Sequence, residues 1–179
     1  MKIKVMNKSI LSYSYASDEV KGYKESKIAK SEKNDCFVRA VASATGSHYD
    51  SAHSFVKETF DRKHKKGTMF MESTMKKLED TGFSIDNKNF KIKVLPKHRV
   101  TNSYKLYGEI VKRKKTVKSF IKDNPKGTYI LGVSKHAFTI KDGQLIDNKG
   151  EEFRPTRKVE SAFKITPEVT NVQLSLFNA

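Results

Sequence analysis

A chain of 179 residues with 36 Lys+Arg against 20 Asp+Glu, a formal net charge of +16, is long enough to bury one core and basic enough to seek an anionic partner, nucleic acid first. Its single cysteine excludes an internal disulfide and a cysteine-rich zinc cluster, which implies a reducing, cytoplasmic setting. No stretch is apolar and long enough for a signal peptide or a bilayer span, so no membrane contact is expected, and no motif asks for a metal or another cofactor.

Residues 2–6 alternate charged and apolar side chains, a short strand at best, and the chain as far as residue 33 shows no clear period. Residues 1–29 are therefore expected to be irregular. Asn34 or Asp35 supplies a helix N-cap and Gly46 a C-terminal stop, and between them Cys36, Phe37, Ala40, Val41 and Ala44 share one helical face. A second helix carries Ala52, Phe55, Val56 and Phe60. A third, capped by Thr68 and ended by Gly82, carries Met71, Met75 and Leu78.

The character changes at residues 90–94, whose period of two predicts a strand that Pro96 stops. Residues 97–115 give a poor signal: Tyr104, Leu106, Tyr107, Ile110 and Val111 are scattered among cations, and the stretch ends on the run Lys112, Arg113, Lys114 and Lys115. Such cations can hold a nucleic-acid backbone while a tyrosine ring stacks on a base. A solvated face with two half-buried tyrosines has the same composition. Thr116 caps a short helix through Val117, Phe120 and Ile121, closed by Asn124 and Pro125. Residues 127–133 form a buried-type strand, and Asp142-Gly143 marks a hairpin turn between residues 137–141 and 144–147. A last strand is expected at 159–165, after which Pro167 opens a polar tail.

The hairpin fixes a register. With Lys141 and Gln144 flanking a two-residue loop, Phe138 lies opposite Asp147, and His136 becomes a diagonal neighbour of Asp147. Their Cα atoms are then about 7–8 Å apart, within reach of an imidazole–carboxylate hydrogen bond, while Asn148 points to the other face. Cys36, at a helix start, sits where the helix dipole favours the thiolate. A thiol nucleophile, an imidazole to move its proton and a carboxylate to orient the imidazole are the parts of covalent acyl transfer. Alone, Cys36 reads as a small core residue; the matching His136 and Asp147 turn the reading towards catalysis. His48, His53, His64 and His98 read as surface or packing residues.

Asp35-Cys36 at the head of a small-residue helix, with Ser134-Lys135-His136-Ala137-Phe138 and Leu145-Ile146-Asp147 far downstream, resembles the papain-like cysteine peptidases. The likeness is to their small bacterial and phage members, related to bacteriocin-processing peptidases. It spans about residues 30–165 and implies an α+β fold whose N-terminal helical half carries Cys and whose C-terminal antiparallel sheet carries His and Asp. It also implies Cys36 as nucleophile, His136 as general base and acid, and Asp147 as the group that fixes the imidazole tautomer. The reaction implied is cleavage of a peptide or isopeptide amide, with deamidation or acyl transfer open to the same residues. In that family a Gln about six positions before the cysteine usually donates to the oxyanion. Lys30 stands there in this chain, leaving the Cys36 N–H with Asn34 or Lys30 as candidate donors.

Gln173, Leu174, Ser175, Leu176 and Phe177, within a tail of residues 166–179, resemble the pentapeptide by which many bacterial replication and repair proteins dock on the DNA polymerase sliding clamp. Gln173 would supply directional hydrogen bonds, and Leu176 and Phe177 would fill an apolar pocket. The leading expectation is a papain-like thiol hydrolase of phage origin recruited to the clamp. Two alternatives stand beside it: a non-catalytic clamp-binding protein that modulates replication, and a basic nucleic-acid-binding module centred on Lys112 to Lys115.

Overall fold

The computed structural model describes residues 12–69, 71–148 and 153–168. In chain order these form β1 (Tyr13–Tyr15), α1 (Ala16–Glu19), α2 (Lys27–Ser31), α3 (Cys36–Thr45), α4 (Tyr49–Thr59) and α5 (Met71–Thr81). The strand-rich half follows: β2 (Phe83–Ile85), β3 (Lys88–Val94), β4 (Thr101–Leu106), β5 (Glu109–Lys114), α6 (Val117–Asp123), β6 (Thr128–Val133), β7 (His136–Lys141), β8 (Gln144–Asp147) and β9 (Val159–Pro167). The architecture is α+β, with a seven-stranded sheet ordered β1-β8-β7-β6-β9-β3-β2 in which only the β1–β8 pair is parallel.

Both faces of the sheet are covered, which explains why residues 129–133 read as a continuous apolar run rather than an alternation. Ile130 and Ala137 face a core built by Phe37, Val41, Val56 and Met75 from the helices α3, α4 and α5. Leu131, Phe138 and Ile140 face the opposite core, where α6 contributes Val117, Phe120 and Ile121.

Helix α3 lies directly on β7, and Thr139 Oγ1 donates to the Ala40 carbonyl at 2.7 Å across that contact. Gly46 closes α3 in the left-handed conformation at φ 64°, as a C-terminal glycine should. The hairpin register is the expected one. Lys141 pairs with Gln144, Ile140 with Leu145 and Thr139 with Ile146, while Asp142 and Gly143 both take positive φ in the turn.

Several expectations need correction. Residues 1–29 were expected to be irregular, but their described part holds β1, α1 and the start of α2. Elements of three to five residues are too short to show a period. β1 exists because it adds to the free edge of β8, and α2 because the Ser26 hydroxyl caps it at the Ala29 N–H. Asp35 occupies the N-cap position of α3 without capping it, since its carboxylate is taken by Tyr49 Oη at 2.8 Å and Arg39 Nη2 at 2.8 Å. α5 begins at Met71, too far on for Thr68 to be its cap. The patternless stretch 97–115 contains the β4–β5 ribbon, whose side chains are nearly all exposed and so carry no burial alternation. β9 continues through Pro167, where the Glu168 N–H still donates to Asn89 O, so the strand outlasts the expected boundary at 165. The strand expected at 2–6 lies outside the described residues.

Candidate functional site

The first turn of α3 presents Cys36 towards the start of β7. The thiol is hydrogen-bonded to the His136 imidazole and to the Ala137 backbone N–H. His136 Nε2 in turn lies 2.7 Å from Asp147 Oδ1, which leaves Nδ1 to meet the thiol. His136 and Asp147 are the diagonal pair that the hairpin register predicts, and α3 reaches them through its seat on β7.

The electrostatics favour a charged pair. Burial pushes the Cys36 thiol up, but the hydrogen bonds from His136 and Ala137, with the His136 and Arg39 charges, outweigh it and hold the thiol below its ordinary value. Burial alone would lower the His136 imidazole; the Asp147 and Cys36 hydrogen bonds and their charges instead push it up to about 9. Both shifts favour thiolate with imidazolium over neutral thiol with neutral imidazole.

These groups open on a cavity of about 670 Å³, whose lining includes Asn34, Arg39, Gly67, Thr68, Met71 and Asn148. Asn148 does point to the α3 face. With its amide nitrogen towards Asp147 it donates to Oδ1 at 2.8 Å, and its oxygen accepts from Arg39 Nη1 at 3.2 Å and Nη2 at 3.3 Å. Arg39 is three residues beyond Cys36, on the same side of α3, and its ion pair with the buried Asp35 fixes the guanidinium beside the thiol. The sequence reading missed Arg39 and Asn148 as site members; the i, i+3 spacing from Cys36 is the signal that would have found Arg39.

The other wall is the loop of residues 61–68, tied down by Glu32. The fully buried Glu32 carboxylate accepts from Arg62 Nη2 at 2.8 Å and from the Lys65 N–H at 3.0 Å, and pairs with His53 Nε2 at 3.0 Å and His64 Nδ1 at 2.9 Å. Burial raises its pKa, but those partners overcome the effect and hold the carboxyl far below its ordinary range. The loop thereby carries Gly67 and Thr68 to the cavity.

The two candidate oxyanion donors are placed differently. Asn34 borders the cavity, with its Nδ2 donating to Lys65 O at 3.1 Å. Lys30 is exposed on α2 and does not line the cavity, so only Asn34 is close to the thiol. The Cys36 N–H, at the head of α3, has no acceptor among the described residues. Of the basic run, Lys112, Arg113 and Lys114 lie exposed on β5, whereas Lys115 is mostly covered and pairs with Asp123 at 2.5 Å. Residues 173–177 lie outside the described residues. Among the described residues no helix is long and apolar enough to cross a membrane, and no cluster of His, Cys, Asp and Glu is arranged to hold a metal.

Comparison with protein-family models, curated proteins and solved structures finds no match to this chain.

Proposed function

We propose that the protein is a thiol hydrolase of papain-like type that cleaves a peptide or isopeptide amide through a Cys36 thioester. One observation carries the reading: the chain of hydrogen bonds from Cys36 through His136 to Asp147 at the mouth of a cavity. The Cys36 thiolate attacks the amide carbonyl carbon, and the carbonyl oxygen becomes an oxyanion facing the head of α3, where the Cys36 N–H donates. His136, protonated at the start, gives its proton to the departing amine as the tetrahedral species collapses to the thioester. Neutral His136 then takes a proton from water, whose oxygen attacks the thioester carbonyl and releases the acid with the thiolate restored. Asp147 holds the ring so that one nitrogen faces the thiol throughout. With an amine in place of water the same steps give acyl transfer, and with a side-chain amide as substrate they give deamidation.

Recruitment to a sliding clamp is the second half of this reading and rests on the sequence of Gln173 to Phe177 alone. The test of the catalytic half is cleavage of a proteome-derived peptide library, read by mass spectrometry as new termini. Wild-type protein should produce them, and Cys36→Ala and His136→Ala should each reduce their rate of appearance by about 10³ or more. Each variant should melt as a folded domain. Equal cleavage by wild type and both variants would remove the assignment.

A further inference from the structure

β4 and β5 stand outside the seven-stranded sheet as a separate ribbon, paired from Thr101–Lys114 at the base to Leu106–Glu109 beside a Tyr107-Gly108 turn. An isolated two-stranded ribbon is marginal in water, yet this one leaves Tyr104, Leu106 and Ile110 exposed and Tyr107 98% exposed. The backbone holds Tyr107 at φ 49°, a left-handed conformation that is costly for a bulky side chain and natural for Asn in such a turn. A ring kept in water on an unfavourable backbone contributes nothing to the fold, and conformations of that kind persist where function requires them.

Charge selects the partner. Lys105, Lys112, Arg113 and Lys114 stand on the ribbon against one acid, Glu109. The Arg113 guanidinium carbon lies 5.5 Å from the Tyr104 ring centroid, so cation and ring share one face. Lys114 reaches Glu160 at 3.7 Å, but Lys105, Lys112 and Arg113 have no ion pair among the described residues. We propose that this ribbon is an arm that grips single-stranded nucleic acid, with Lys112 and Arg113 meeting phosphates while Tyr104 and Tyr107 stack on bases. The unpaired cations ask for a polyanion, and the exposed rings ask for one whose base faces are free, which a duplex hides. An apolar protein surface would match the rings and leave the cations unanswered. This inference does not depend on the chemistry at Cys36.

Fluorescence anisotropy tests it, using the full chain with a labelled oligothymidylate of about 20 nucleotides, longer than one such binding site, and a duplex of the same length. The single strand should bind more tightly than the duplex, and Tyr107→Asn should weaken it by roughly 5- to 150-fold. The Lys112→Ala/Arg113→Ala double variant should flatten the dependence of log K on log salt by about 1.4. Because asparagine suits the turn, Tyr107→Asn should melt no lower than wild type, and lost binding cannot be attributed to lost fold. Equal affinity of wild type and Tyr107→Asn, or preference for duplex, overturns the proposal. So does failure to bind either nucleic acid, which would leave the exposed rings to a protein partner.

Discussion

Cys36 and His136 each carry a shift that the other helps to cause, and the pair has consequences for pH. The thiol sits below its ordinary value, so its reaction with iodoacetamide should set in at a lower pH than that of a free cysteine, whose pKa is about 8.5. The proposed hydrolysis also needs a protonated His136 to release the amine. Since that group is raised to about 9, kcat/KM should rise with the thiolate on the acid side and fall as the pH passes about 9. A thiol titrating at its ordinary value would remove the basis for an ion pair. Asp147→Asn tests the orienting role: it leaves an acceptor for the ring N–H but removes the charge that raises His136, so the alkaline limb should move to lower pH. A pH profile unchanged in that variant would show that Asp147 acts only as a spacer. The clustering of Cys36, His136 and Asp147 was legible in the sequence because each sits in a locally determined place, a helix start or a two-residue hairpin. Arg39 and Asn148 were not, because the contact that makes them site members is with each other, between α3 and the end of β8, more than a hundred positions apart.

At the scale of elements, the loop of residues 61–68 owes its place to one carboxylate. Glu32 and Arg62 are both buried, so removing one partner leaves an unpaired charge in the interior. Arg62→Ala should cost about 3–5 kcal/mol in urea unfolding and should also slow catalysis, because Gly67 and Thr68 lose their anchor. An Arg62→Ala protein as stable as wild type would mean that the loop is held by other contacts. The sign of the pH effect follows from the same pair. The Glu32 carboxyl is depressed in the folded state, so its contribution is complete above its ordinary value of 4.5 and is lost as the pH falls through the folded-state value. None of this network was legible beforehand: Glu32 meets His53, Arg62 and His64 across 21 to 32 positions of chain, a separation at which no periodicity operates.

For the whole molecule, the decisive contact joins the two halves of the chain. Thr139 donates to Ala40 O across 99 positions, locking α3 to β7 beside the candidate site. Thr139→Val keeps the shape but leaves no donor, and should cost about 1 kcal/mol of stability while lowering kcat more than it changes KM. A loss confined to stability would make the bond purely structural. Recruitment is tested at the same scale by passing wild type and a form lacking residues 173–179 over an immobilised bacterial sliding clamp. Binding should vanish with the tail, whereas hydrolysis of a small peptide in solution should be unaffected. Clamp binding that survives the deletion would place the docking surface elsewhere.

What the sequence determined by itself was local: α3 from its apolar face and Gly46, α4 and α5 from theirs, and the β7–β8 hairpin with its register from Asp142 and Gly143. Those features rest on interactions between residues a few positions apart, so composition and period are enough to specify them. Only the tertiary structure decided that β1 adds a parallel edge to β8, that Glu32 gathers the loop beside the cavity, and that β4 and β5 stand apart as an exposed ribbon. Each of these depends on which surfaces remain free once the sheet has closed its core. That is a property of the packed molecule, and no short stretch of it carries the information.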